Sequence, residues 1–356
     1  MSDKSPNEIF SGVYASGSHV QGIAVDKERG FVYYSFTTML LKTDMLGNAV
    51  GSVIRLAGHL GCITYDPDND CVYGSLELKH DEIGLGIVKR TNWDPTSEDA
   101  FYLVSFDCAL IDRMDMDAEN DGVMNAVYLY DVVKDYYEFD EVGGKCHRYG
   151  CSGIDGTGLG YAFGDVEHLS KKIMIAYGVY GDNDRKDNDH QVILQYDLSV
   201  ISQYGQPLCQ SLPHHSGPEH CEKRYFFHTG NTTYGVQNME YDEFSNNWFL
   251  AVYAGRKPEY KNFNMFAIDG AALPKESELY GRKGEKGLLL TSAVLGEIGY
   301  SENIYGSMFG YGSTGIASLG NGEFYFSHDG RGEDGFYTTL IKYRFSPNSK
   351  NIFEKI

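Results

Sequence analysis

The strongest constraint in this chain is a pattern that returns. Residues 22–36, GIAVDKERGFVYYSF, alternate apolar and polar positions up to Asp26, break at a charged turn ending in glycine, and alternate again toward an aromatic end. Forty residues later, residues 62–76, CITYDPDNDCVYGSL, repeat the plan around Asp66. RMDMDAENDGVMNAV (113–127, Asp117) and VQNMEYDEFSNNWFLAVY (236–253, Asp242) repeat it again. LGYAFGDVEHLSKKIMIAYGVY (159–180, Asp165) and TGIASLGNGEFYFSH (314–328) are looser copies. Two alternating runs joined by Asp, Asn, Gly or Ser spell a β-hairpin, because these residues accept the turn geometry and the runs expose one face each. A lone hairpin cannot bury that face, so repetition means that the copies pack on one another.

After most hairpins comes a third run, MLLKTD, GIVKRT, QVILQYDL, NMFAID or TTLIKYRF, and often a fourth such as GSVIRL, FYLVSF or RYFFHTG. Four strands per unit is the plan of a β-propeller blade. The reading is therefore an all-β, single-domain propeller over residues 1–356, of six four-stranded blades, with five or seven as alternatives. Its inner hairpins fall near 20–36, 60–77, 111–130, 157–180, 234–253 and 313–328. The 28 Tyr, 19 Phe and 42 Gly agree with strands and tight turns. The last unit lacks a fourth strand, and NEIFSGVYAS stands before the first hairpin, so residues 8–16 are expected to close the last blade and remove two sheet edges. The extra length falls in loops at 78–100, 181–190, 203–222 and 271–312.

A formal charge of −20 argues against a nucleic-acid partner. No apolar run reaches membrane-spanning length and MSDKSPNEIF lacks a secretory signal, so a cytoplasmic location is expected unless a leader was removed. The seven cysteines include no CxxC pair, which disfavours structural zinc, and reduced thiols are expected.

In a propeller, the start of each inner strand and the end of each second strand meet at one rim of the central channel. The first set contains His19 and Gln21, His59, Asp107, Asp112, Tyr149 and Asp155, His228 with Asn231 and Tyr234, and Tyr311 with Ser313. The second contains Thr37 and Thr38, Glu77 with His80, Tyr130, Tyr180 with Asp182 and Asp184, Tyr253 with Arg256 and Lys257, and His328 with Asp329 and Arg331. From these, His228, His328, Glu77 and Asp329 are the candidate acid–base residues, since proton transfer needs imidazole or carboxylate side chains. Arg256, Arg331, Tyr234, Tyr253, Asn231 and His80 are candidate substrate contacts: arginines clamp a carboxylate and aromatic faces stack on sugar rings. His19 and His59 are candidate ligands for a divalent cation such as Ca²⁺ or Mn²⁺.

Other motifs are discounted. DPDNDCVYGSLE spaces Asp66, Asp68, Asp70 and Glu77 like a calcium loop, but a strand over Val72 to Leu76 carries Glu77 to the far rim. YGDNDRKDNDH reads as a solvated turn, and GIDGTGLGYAFGD as a channel-lining turn rather than a nucleotide fingerprint.

The strand, Asp-turn, strand repeat resembles that of six-bladed propellers of the gluconolactonase and NHL type. That resemblance spans nearly the whole chain and implies the fold, while its members include hydrolases, lyases and binding modules. The residue types at the rim point to a carbohydrate-active lyase or hydrolase acting on a small, acidic saccharide or lactone. The alternative is a non-catalytic propeller that recognises a glycan, peptide or protein.

Overall fold

The computed structural model describes residues 5–15, 18–91, 96–142, 144–299 and 303–356. Residues 92–95 and 300–302, in two of the long loops, and Ser16, at the end of the expected closing segment, lie outside the described residues.

Five blades, not six, surround the channel. Their innermost strands are Gly22–Asp26, His59–Asp66, Cys151–Tyr161, Thr232–Asp242 and Ile316–Ser318. Each packs against the next, and the last returns to the first, so the ring is closed. Blade 1 continues outward through Phe31–Ser35, Leu40–Asp44 and Ala49–Ile54. Blade 2 continues through Cys71–Leu78, Ala100–Asp107 and Met124–Tyr128. Blade 3 has Lys171–Val179, His190–Asp197 and Lys223–His228, and blade 4 has Asn247–Ala254 and Met265–Asp269. In blade 4 the outer position is held by single bridges, Ile268 to Ser292 and Met265 to Ser307.

The hairpin expected at 111–130 does not exist as such. Met116–Asp117 pairs in parallel with the outer edge of blade 1, whereas Met124–Tyr128 is the outer strand of blade 2. Asp117 accepts the Glu119 and Asn120 N–H groups, so the local turn chemistry is that of a hairpin while the two arms belong to different sheets. GIVKRT also differs from expectation: it ends a helix, α1 (Glu82–Thr91), and FYLVSF supplies the third strand of blade 2. Asp81 accepts the Gly84 N–H at 2.8 Å and starts that helix. GIDGTGLGY is not a turn but the inner strand of blade 3 itself. Its glycines answer a close approach between blades: a Cβ at Gly158 would stand 2.8 Å from both the Met239 carbonyl oxygen and the Trp248 ring.

The closing strand is as expected. Glu8–Phe10 pairs antiparallel with Phe336–Phe345, Ile9 opposite Leu340, and Tyr14 bridges to Phe336. Between neighbouring blades lie five apolar clusters of described residues, one for each interface of the ring. Ile9 belongs to the cluster between blades 5 and 1, with Ile23, Tyr34, Tyr325 and Leu340.

The turn aspartates Asp26, Asp66 and Asp242 are buried and accept the N–H groups of Arg29, Asp68 and Ser245. They stand at the ends of the inner strands away from His59 and Thr232, where those strands begin.

Candidate functional site

At the rim where the inner strands begin lies a cavity of about 330 Å³. Its floor comes from blades 2 and 3. His59 opens the inner strand of blade 2 and pairs in register with Glu77 on the second strand. Asp155 projects from the inner strand of blade 3 and Gln237 from that of blade 4. Tyr180, Tyr234 and Tyr253 form one wall, and α1 forms another, presenting Ile83, Ile87 and Arg90 at helical spacing. Arg90 Nη1 donates to Ser18 Oγ at 3.0 Å, tying α1 to the chain entering blade 1.

The floor is densely ionisable. Glu77 Oε1 accepts the Ile154 N–H at 2.6 Å, and Oε2 is 2.8 Å from Lys79 Nζ. Lys79 also donates to the Ser152 carbonyl at 3.0 Å and lies 3.2 Å from Asp81. Asp155 Oδ2 accepts from Gln237 Nε2 at 3.1 Å, while Oδ1 lies 3.4 Å from His59 Nδ1. Burial raises the carboxyl of Asp155 well above the carboxylate range, and the nearby Glu77 charge adds to it. Burial raises Glu77 as well, opposed by the Lys79 ammonium. Burial works against the charge on Lys79, but Glu77 and Asp81 more than offset it and hold its pKa above the ordinary value. His59 is depressed to about 3 by burial and by the Lys79 charge, and is neutral.

Of the residues expected at the mouth, His19, Gln21, Thr37, His59, Glu77, Asp155, Tyr180, Tyr234 and Tyr253 line this cavity. His19 Nε2 lies 2.8 Å from the Gln21 side-chain amide, and the close grouping of ligating atoms is formed by His59, Glu77 and Asp155 without it. Asp329 is exposed outside the lining, within electrostatic reach of His19 and Tyr253, and accepts from Thr314 Oγ1 at 3.3 Å.

The remaining expected residues are elsewhere. His228 ends the fourth strand of blade 3, far from the channel, and its ring stacks on Tyr280 with centroids 4.7 Å apart. The chain turns back to the axis only after it, through Asn231, whose Oδ1 accepts the Arg256 N–H. His328 stacks on Tyr311 at 3.5 Å and bonds the Tyr343 hydroxyl, which places it within the aromatic packing of blade 5. His80 is held by Asp99 and the Thr96 carbonyl. Arg256 is exposed, and Arg331 lies over the Phe336 ring; neither lines the cavity, so they do not form the expected clamp. The cations of the pocket are Lys79 and Arg90. A helical reading of residues 82–91, with Asp81 as cap and Ile83 and Ile87 on one face, is the sequence signal that would have found Arg90.

No family model matches the chain, and no curated protein matches it. Among solved structures it is similar to hydrazine synthase of Kuenenia stuttgartiensis, with 8% identity and TM-score 0.39, covering 91% of this chain and 64% of that one. It is also similar to the Dos1 propeller, with 10% identity and TM-score 0.36, covering 94% and 57%. A functionally unknown protein from Desulfotomaculum acetoxidans gives 10% identity and TM-score 0.37, covering 97% and 70%. The chain spans less than two thirds of the first two structures. The propeller assignment rests on the strand pairing and on the closed ring of inner strands.

A second cavity, of about 520 Å³, opens beside the first and shares Tyr180 and Tyr234 with it. Tyr234 has φ +64°, a left-handed conformation uncommon for a tyrosine, where the inner strand of blade 4 bulges against its partner. The bulge leaves its ring half exposed between the two cavities. YGDNDRKDNDH, next to the second cavity, is not a solvated turn: Asp187 pairs with Arg185 and Arg282, and Asp189 with Lys257, all buried.

Proposed function

We propose that this propeller is a carbohydrate-active enzyme, a lyase or hydrolase that performs acid–base chemistry on a small saccharide or lactone at this mouth. One observation carries the reading: His59, Glu77, Lys79 and Asp155, from two adjacent blades, converge on the floor of a tyrosine-walled cavity. Taking ionisable groups out of water is costly, and clustering them in a concave pocket is a mark of functional sites. A cavity of about 330 Å³ suits a ligand of one or two sugar rings. Tyr234 and Tyr253 offer faces for the ring. Glu77 and Asp155 supply carboxyl groups on the floor for moving a proton, and Arg90 on the wall favours a substrate that carries its own carboxylate.

The test is a panel of uronides, aldonolactones and their neutral analogues, assayed with the wild type, Glu77→Gln and Asp155→Asn. Turnover of at least one acidic substrate, lost 100-fold or more in both variants with the fold intact by circular dichroism, is the expected result. Binding without turnover, left unchanged by both substitutions, would instead support a recognition module.

A further inference from the structure

We propose that His59, Glu77 and Asp155 form a binding site for a divalent first-row cation of the Mn²⁺ or Zn²⁺ kind. The inference uses the same pocket but stands apart from the identity of the substrate.

Geometry comes first. One ligating atom from each of the three residues lies within 4.8 Å of the other two. A cation at roughly 2.0–2.3 Å from each ligand requires donor separations of about 3 to 4.5 Å, so small side-chain adjustments close the shell. The residues are fixed by rigid elements: His59 and Glu77 face each other across one hairpin, and Asp155 belongs to the neighbouring inner strand.

The second observation is the histidine itself. His59 Nδ1 is buried with no hydrogen-bond partner and points toward Asp155 Oδ1, 3.4 Å away. Buried nitrogen atoms without partners are rare because each forfeits a hydrogen bond that water would have supplied. A cation between His59 and the carboxylates satisfies that atom.

Charge supplies the third. Glu77, Asp81 and Asp155 cluster around a single ammonium, that of Lys79, with Arg90 farther up the wall. Lys79 stands at Glu77 where a cation would go, but it keeps two other acceptors, Asp81 and the Ser152 carbonyl. It can therefore release Glu77 when a metal enters. One nitrogen and two oxygens suit Mn²⁺ or Zn²⁺ better than Ca²⁺, which favours six to eight oxygens. The cavity above leaves the remaining positions to water or substrate oxygen atoms.

The experiment uses the full chain, stripped with a chelator and titrated calorimetrically with MnCl₂, ZnCl₂ and CaCl₂ without substrate. One Mn²⁺ or Zn²⁺ per chain is expected, with affinity lowered at least tenfold in His59→Ala and Asp155→Asn, and raised in Lys79→Met. Should a variant fold poorly, the metal-induced rise in melting temperature of the wild type, and its absence with CaCl₂, provides the second reading. No binding of either first-row cation up to millimolar concentration, or binding unaltered in both His59→Ala and Asp155→Asn, overturns the site. Because no substrate is present, that failure leaves the turnover assays to decide the catalytic reading separately.

Discussion

Ring closure by the N-terminal strand is the feature most open to a quantitative test. Ile9 is 2% exposed and packs in the cluster between blades 5 and 1, although it lies only nine residues from the chain start. Ile9→Ala removes three buried carbons, worth roughly 2.4 kcal/mol at about 0.8 kcal/mol each, and leaves a cavity that raises the total to about 3 kcal/mol. Unfolding entropy near 2.1 cal/mol/K per residue amounts to about 0.75 kcal/mol/K for 356 residues, so the melting temperature is expected to fall by roughly 4 °C. Scanning calorimetry of Ile9→Ala beside Phe10→Ala measures it. Phe10 is 48% exposed and rests on Tyr337, so its loss is expected to cost under about 1 kcal/mol. Equal and negligible shifts for the two variants would mean that residues 8–10 do not complete blade 5 in solution.

Other consequences follow from burial elsewhere. Burial depresses His190 and His228 to about 3 and about 4, with the second histidine and Arg282 adding to it at His190, while Asp189, Tyr260 and Tyr280 pack nearby. Their folded values lie below the unfolded value near 6.5, so as pH falls from 7 to 5 the unfolded chain gains protons that the native state refuses, and stability drops by a few kcal/mol. Urea midpoints at the two pH values should therefore converge in the His190→Gln/His228→Gln double variant, and an unchanged pH difference would exclude these groups as its source. Gly153 has φ +127° and a Cβ there would fall 1.8 Å from Glu77 Oε1. Gly153→Ala is expected to cost about 2 kcal/mol and to weaken ligand or metal binding, whereas Gly86→Ala, in open space on α1, should stabilise by up to about 1 kcal/mol. Arg282 is buried against Asp140, Asp187 and Glu285, so Arg282→Met, which strands those carboxylates, is expected to cost roughly 3 to 5 kcal/mol in a denaturation midpoint.

Local chemistry in this chain is readable without coordinates. The alternation of GIAVD and FVYYS, the capping carboxylates of Asp26, Asp66 and Asp242, and the closing strand at residues 8–10 follow from period-two patterning, turn hydrogen bonding and the need to hide sheet edges. The placement of His59, Glu77, Tyr234 and Tyr253 at one mouth follows from the same strand register. Which sheet a strand joins is a different matter. Met116–Asp117 and Met124–Tyr128 carry ordinary hairpin signals on both arms, yet one completes blade 1 and the other blade 2, while Met116, Met124 and Ala126 all pack in the one apolar cluster between those blades.

The blade number depends on that long-range choice, and so do the distances from the axis. A histidine at the end of an outer strand, His228, and one at the start of an inner strand, His59, look alike in sequence. Residues 82–91 show the same ambiguity at shorter range, since GIVKRT alternates like a strand but winds as a helix once Asp81 caps it and Ile87 finds a buried position. Alternation and turn residues are short-range properties that sequence alone determines. Ring closure, the turning of α1 over the mouth, and the meeting of Asp155 with His59 and Glu77 depend on contacts between residues far apart in the chain, which only the tertiary packing decides.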